Sequence, residues 1–379
     1  MATLRLENVH KNYGILEDAV KGISFTCNDG ELMVLLGPSG CGKTTTLRMI
    51  AGLESVTDGV IKIDGKVINN LAPQQRNVAM AFETYALYPL LSVYKNIAFP
   101  LQVMKLSKAE IDRRVREVAE VLSITDILNN LPGRLSGGEK QRVSLARALV
   151  REPTIFLIDE PLSHIDADLH YRARALIKHI HVTTGTTMVY VTHNQKEAVA
   201  LADRLILMNL GMIQQIGTPQ DLYYHPVNLF VASFISEPPM NTILTRLEMG
   251  ESLLLLHLQG EGQVILHFSV DEIPSCAQHA LYRYHGKEII MGVRPQNVRI
   301  QHSAKGGGIL KQVPGKLLVY ELLVNEGIAQ VLVNGNKFEC VTPLETTFRA
   351  SDAVRLAMDF ADLYFFDPQT TNHIEYKRR

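Results

Sequence analysis

Gly37-Pro38-Ser39-Gly40-Cys41-Gly42-Lys43-Thr44 has the spacing G-x-x-x-x-G-K-[ST] of a phosphate-binding loop. Before it lies Leu32-Met33-Val34-Leu35-Leu36, a nearly continuous apolar run that reads as a buried strand; after it, residues 43–51 have a helical pattern. A strand, a glycine-rich turn and a helix start, in that order, are the context this motif needs. The glycines let successive backbone N–H groups converge on phosphate oxygens, and the helix aims its amino end at the same point. Lys43 can then reach the β and γ phosphates of a nucleotide, and the Thr44 hydroxyl can hold Mg²⁺. The alternative is a chance match in a loop, against which the flanking strand and helix both argue.

Further along, Ile155-Phe156-Leu157-Ile158-Asp159-Glu160 is a second apolar strand, closed by two acids. Asp159 suits Mg²⁺ coordination, directly or through water, and Glu160 can orient and polarise an attacking water. Standing alone, such a pair is more often a cap or an ion pair; a phosphate loop upstream reverses that preference. Residues 188–191 form a third apolar strand, running into Thr192-His193. The His193 imidazole can hydrogen-bond a γ phosphate or the attacking water, although a lone histidine at a strand end is ordinarily structural. Three strands delivering polar residues at their carboxyl ends match the rule for ligand sites in parallel sheets. Residues 105–122 and 139–150 read as helices, so the stretch from 3 to about 235 is an α/β nucleotide-binding unit.

The texture changes at Ser236-Glu237-Pro238-Pro239. Short alternating runs follow at 252–258, 264–268, 288–293, 316–323, 329–333 and 353–358, separated by turns such as Gly306-Gly307-Gly308 and Asn334-Gly335-Asn336. They predict an all-β domain, a small barrel or paired barrel-like modules. Two domains also suit a chain of 379 residues, 46% apolar and 20% charged. A net charge of −1 gives no overall positive field for nucleic acid. Cys27, Cys41, Cys276 and Cys340 have no metal-ligand spacing. The first residues lack a basic segment followed by an apolar run, and no apolar stretch approaches the roughly 18 residues of a spanning helix. The expectation is a cytoplasmic protein whose role at a membrane comes through partners.

Leu135-Ser136-Gly137-Gly138-Glu139-Lys140-Gln141-Arg142 admits two readings. Ser136 can cap a helix with Glu139 as its reciprocal partner, and the two glycines can let phosphate approach the helix amino end. Physics alone leaves both open.

Lying between a phosphate loop and an Asp-Glu strand end, Leu135 to Gln141 resembles the signature of the ABC transporter ATPases. The likeness runs over essentially the whole chain and is nearest to the ATP-binding subunits of bacterial carbohydrate importers of the maltose type. It implies an α/β P-loop domain of ABC ATPase type over residues 1–235, with a helical subdomain at about 84–150, then an OB-like (TOBE-type) β-rich domain over 236–379. It also implies ATP and Mg²⁺ as cofactors. ATP would be held by Gly37, Ser39, Gly40, Cys41, Gly42, Lys43, Thr44 and Thr45, with the Tyr13 ring stacked on adenine. Lys43, Glu160 and His193 would carry catalysis. Ser136 and Gly138 would contact the γ phosphate bound to the opposite subunit.

Several positions depart from the family pattern. Glu83 follows Phe82 where the family has a Gln that touches Mg²⁺, so it joins Thr44 and Asp159 as an implied metal contact and implies an altered Mg²⁺ dependence. In Pro161-Leu162-Ser163-His164-Ile165-Asp166, which resembles the loop crossing the dimer interface, His164 and Ile165 replace the usual Asn and Leu. Asn194 follows His193 where the family often has Asp. Tyr85-Ala86-Leu87-Tyr88-Pro89, with Leu91 beyond it, resembles the segment that docks the membrane subunits, the alternative being an aromatic turn packed in its own core. Pro239-Met240-Asn241, Gly292-Val293-Arg294-Pro295 and Phe366-Asp367-Pro368 resemble the opening, middle turn and closing strand of the second domain. The implied partners are a second copy of the chain, two transmembrane permease subunits and an extracytoplasmic solute-binding protein, with no nucleic acid. The implied solute is a carbohydrate or polyol, with a glycerol phosphate ester, polyamine or sulfate as alternatives. A soluble ABC ATPase of translation or DNA repair is a further one, but those usually carry two fused ATPase units or a long coiled-coil insertion.

Overall fold

Residues 2–14, 18–82, 85–162, 167–302, 311–344 and 348–374 are described in the computed structural model. The chain divides into two units between Asp221 and Leu222.

In the first unit the strands β1 (Leu4–Lys11) and β2 (Val20–Cys27) precede β3 (Leu32–Leu36) and the helix α1 (Lys43–Ala51). Then come β4 (Asp58–Ile63), β5 (Lys66–Val67), β6 (Val78–Ala81), α2 (Val93–Val103), α3 (Lys108–Val121) and α4 (Gly137–Leu149). The unit closes with β7 (Ile155–Asp159), α5 (Ala167–Thr184), β8 (Thr187–Thr192), α6 (Gln195–Leu201), β9 (Arg204–Asn209) and β10 (Met212–Gly217). The central sheet has the order β10-β9-β3-β8-β7-β6. Its strands are parallel except β10, which runs antiparallel to β9. Every residue of β3, β7 and β8 is buried, as expected where both faces of a parallel sheet are covered. A second sheet, β2-β1-β4-β5, is antiparallel.

The register positions the site. Leu36 pairs with Thr192, and Val191 with Asp159, so the carboxyl ends of β3, β8 and β7 lie level and side by side. The loops that leave them must open onto one crevice.

Capping corrects the helix limits read from the sequence. The helix expected over 105–122 starts at Lys108, because Lys105 is left-handed at φ 58° and the Ser107 hydroxyl accepts the Glu110 N–H at 3.2 Å. Its buried stripe is Ile111, Val115 and Ala119, while Arg113, Arg114 and Arg116 pair with Glu110, Glu117 and Asp112. The helix expected from 139 begins at Gly137, behind the cap Ser136.

The second unit takes in the end of α7 (Pro219–Tyr224), then α8 (Leu229–Phe234), β11 (Asn241–Met249), β12 (Leu253–Leu258), β13 (Val264–Ser269), α9 (Ser275–Tyr282) and β14 (Glu288–Val293). It continues with β15 (Arg299–His302), β16 (Gln312–Leu322), β17 (Gly327–Val333), β18 (Asn336–Thr342), β19 (Ala353–Ala357) and β20 (Leu363–Phe366). Two five-stranded antiparallel sheets form, β13-β12-β11-β14-β20 and β15-β19-β16-β17-β18. Alternate residues such as Leu254, Leu256 and Leu258, or Ala329, Val331 and Val333, enter one shared core. The β-rich domain also holds the helix α9, whose Ala277 and Leu281, four apart, are buried in that core. The units divide ahead of the change in texture at Ser236, and Arg294 accounts for the intervening helix. Its fully buried guanidinium donates to the carbonyls of Ala232 in α8 and Tyr223, and lies 3.7 Å over the Tyr223 ring.

Among the described residues no helix is long and apolar enough to cross a membrane.

Candidate active site

The turn after β3 is shaped by space as well as by backbone freedom. A Cβ on Gly37 would collide with the Met208 carbonyl, and one on Gly42, at φ 101°, would lie 2.5 Å from the Ala19 carbonyl. Cys41 is buried between them and its thiol is pushed up by that burial, so it packs as a small neutral side chain. Ser39 and Gly40 form the exposed crest. Thr44 and Thr45, half-buried, sit in the first turn of α1.

Lys43 is only 4% exposed. Its ammonium folds back across the loop, donating to the Gly37 carbonyl at 2.8 Å and the Pro38 carbonyl at 2.9 Å. The Thr44 hydroxyl donates to Asp159 Oδ1 at 3.0 Å, which joins the end of β7 to the start of α1. Both are hard oxygen donors beside a helix amino end, a set that fits Mg²⁺ next to phosphate.

One residue on, Glu160 turns out of the sheet. Its N–H still donates to the Val191 carbonyl at 3.0 Å, but its φ of 40° is left-handed, which is costly for a side chain with a Cβ. That turn carries its carboxylate to His193, whose Nδ1 lies 2.8 Å from Glu160 Oε2. With the carboxylate oxygen as acceptor, Nδ1 is the donor of this bond. Asn194 caps α6 by accepting the Glu197 N–H at 3.1 Å, a task it performs as well as an aspartate.

Tyr13 stands apart from this group, 48% exposed. Lys11 Nζ lies 4.7 Å from its ring centroid and is itself fixed by the Ser55 carbonyl at 2.9 Å and the Ser55 hydroxyl at 3.1 Å. A half-exposed ring of this kind can receive a flat base.

Ser136 and Glu139 form the reciprocal cap. The Ser136 N–H and hydroxyl donate to Glu139 Oε2 at 2.7 and 2.8 Å, and the Glu139 N–H donates back at 3.3 Å. These bonds hold the Glu139 carboxyl below the usual range. Ser136 and Gly137 are exposed and Gly138 is half-buried. Among the described residues no hydrogen bond links Ser136 or Gly138 to Lys43, Asp159 or His193. Thus Lys43, Thr44, Asp159, Glu160 and His193 lie at or just beyond the level carboxyl ends of β3, β7 and β8, and among the described residues no hydrogen bond within the chain brings the Ser136 turn to them. Glu83 and residues 163–166 lie outside the described residues.

The segment Tyr85 to Leu91 separates residues that the sequence groups. The Tyr85 hydroxyl is buried without a hydrogen-bond partner, and burial raises its pKa. Tyr88 points outward and packs on Phe99 with ring centroids 4.9 Å apart. Leu90, 89% exposed, and Phe99, Val103 and Met104, on or just after α2, are also exposed apolar side chains. Two residues of α4 hold the segment: Ser144 Oγ donates to the Tyr85 carbonyl at 3.0 Å, and Arg147 donates to the Tyr85 and Ala86 carbonyls at 3.0 and 2.6 Å. Sequence reading missed Ser144 and Arg147, which look like ordinary polar positions of a helix.

A family model described as ABC transporter matches residues 20–163. The trehalose/maltose import ATP-binding protein MalK of Thermococcus litoralis is 42% identical, over 98% of this chain and 99% of its own length. The sn-glycerol-3-phosphate import ATP-binding protein UgpC 2 of Agrobacterium fabrum is 39% identical over 99% of this chain and 95% of its own. The oligosaccharides import ATP-binding protein MsmX of Bacillus subtilis is 39% identical, with 98% and 99% covered. Among solved structures, a dimeric ATP-binding cassette in a post-hydrolysis state, bound to ADP and Pi, matches with TM-score 0.52 and 31% identity, over 57% of this chain and 98% of that one.

Proposed function

Because this chain belongs to the family of ABC transporter ATP-binding proteins and is an ABC-type ATPase that takes ATP with Mg²⁺, we propose that it drives import of a carbohydrate or polyol. The observation that carries the ATP-hydrolysing part of the proposal is the row of Lys43, Asp159, Glu160 and His193 at the level carboxyl ends of β3, β7 and β8. Lys43 leaves its two loop carbonyls for the β and γ phosphates, and the loop N–H groups hold the same oxygens. Thr44 and Asp159 would hold Mg²⁺, which neutralises phosphate charge when bound. Glu160 accepts the proton of the attacking water, and His193 keeps Glu160 oriented while its other nitrogen faces the γ phosphate.

The half-site is completed by a second copy. The amino end of α4 supports this reading, because Ser136 and Gly137 are exposed there, Gly138 is half-buried, and a helix amino end favours an anion. Permease subunits dock on Tyr88, Leu90, Phe99, Val103 and Met104, exposed large apolar side chains of the kind that mark interaction sites. From Arg147, near one end of α4, to Ser136 at the other is a rigid rod of about 16 Å, so movement of the docked segment moves the signature turn. The chain then works at the cytoplasmic face of a membrane, held there by its permeases and supplied by an extracytoplasmic solute-binding protein.

Cysteines placed at Tyr88 and Leu90 are expected to cross-link to a permease subunit in the assembled transporter. Consistent failure in a transporter that still pumps would remove the docking assignment. The solute class rests on relatives named for trehalose, maltose and oligosaccharides. Others named for sn-glycerol-3-phosphate favour a phosphate ester as the second reading. Solute-stimulated ATP hydrolysis by the transporter in vesicles separates them: stimulation by oligosaccharides is expected, and stimulation by the phosphate ester alone would overturn the first.

A further inference from the structure

Glu197 lies in the first turn of α6 and is only 4% exposed. A carboxylate withdrawn from water this far needs donors, and it has them. Its Oε2 accepts from Thr192 Oγ1 at 2.8 Å and from Tyr190 Oη at 3.1 Å. Its Oε1 lies 3.5 Å from His170 Nδ1. Burial, together with the neighbouring carboxylate, pushes the Tyr190 phenol well above its ordinary pKa, so that hydroxyl stays a donor.

The bonds then close a ring around His193. The Glu197 N–H donates to Asn194 Oδ1 at 3.1 Å, and the Asn194 N–H donates to Thr192 Oγ1 at 2.9 Å. His193 is the residue between Thr192 and Asn194, so the backbone is fixed on both sides of it. α5 braces the helix from a second direction. His170, Arg174 and Lys178, four apart along one face, reach Glu197, the Lys196 carbonyl at 3.3 Å and the Leu201 carbonyl at 2.9 Å.

We propose that Glu197 is a positioning residue for hydrolysis, its buried carboxylate holding the backbone around His193 so that the imidazole stays in hydrogen-bond reach of Glu160. This rests on reading Glu160 and His193 as the pair that acts on water. A 1 Å displacement of such a group is enough to cost much of a rate, whereas nucleotide affinity comes from the phosphate loop, on a different strand.

The test is steady-state ATP hydrolysis by the full chain. His193→Ala must lower kcat; if it does not, the reading of the pair fails and takes this proposal with it. Given that loss, Glu197→Ala and the milder Thr192→Val are each expected to lower kcat by roughly tenfold or more. KM for ATP should stay within about twofold, because only an interaction made in the transition state is lost. Glu197→Gln keeps the shape and one accepting oxygen and should restore part of the rate. The decisive arm is the cycle: in a His193→Ala background, Glu197→Ala and Thr192→Val should add no further fall. Additive losses, or a raised KM with kcat intact, would show that Glu197 only stabilises α6 and would overturn the proposal. Should Glu197→Ala fail to fold, the same cycle with Thr192→Val decides the question.

Discussion

Lys43→Ala is expected to lower ATP turnover by at least about a hundredfold, the scale of losing one preorganised donor aimed at developing charge. The ammonium is buried, and its bonds go to the Gly37 and Pro38 carbonyls of its own loop. It is therefore stored beside the place where the phosphates would lie. Alanine ends at Cβ and leaves Gly37 to Thr44 without a cation. Two backbone carbonyls lose a donor, a cost of about 1 kcal/mol each where water does not replace it, so the melting temperature should fall only slightly. Phosphate release by the purified chain, read beside a thermal melt, separates lost chemistry from lost fold. Equal rates for wild type and Lys43→Ala, after control for contaminating ATPases, would sink the assignment.

Glu160→Gln should keep ATP binding and reduce hydrolysis by roughly 10²- to 10⁴-fold, the usual contribution of a positioned proton acceptor. The amide has the same shape, and its oxygen can still accept the His193 Nδ1 proton across the 2.8 Å contact. What disappears is the basicity. A nucleotide that binds and persists stabilises whatever assembly it bridges, so the variant should give a longer-lived dimer in ATP than wild type. Light scattering after nucleotide addition measures that lifetime. Ordinary turnover by this variant would show that another group takes the proton.

The parts of the site that could be read in advance are those whose chemistry is local in sequence. The phosphate loop declares itself because glycine spacing, the strand before it and the helix after it lie in one stretch, and α1 spans Lys43–Ala51 as expected. The strand carrying Asp159 is legible for the same reason: four apolar residues in a row, Ile155 to Ile158, have no surface to occupy. What escaped depends on contacts distant in sequence. Tyr85 and Tyr88 are three residues apart and alike in chemistry, yet one hydroxyl is buried and the other ring faces out, because Ser144 and Arg147 pin the chain between them. Glu197 looks like an ordinary charge on a short amphipathic helix. Only the register of β8 reveals that Tyr190 and Thr192 face it. Arg294 reads as part of a turn, and nothing local in the sequence announces that its charge is buried against Tyr223 and two carbonyls.

The left-handed backbone of Glu160 sets stability and activity against each other at a single position. At φ 40° any residue with a Cβ is strained, typically by about 1–3 kcal/mol, and glycine alone escapes it fully. A library of variants at this position, screened only for survival of heating, should therefore enrich glycine, followed by asparagine. The same library screened for ATP-driven uptake should return glutamate. The two winners would differ because a thermal screen rewards a relaxed chain, whereas the role proposed for Glu160 in turnover needs a carboxylate at a backbone angle that favours its absence.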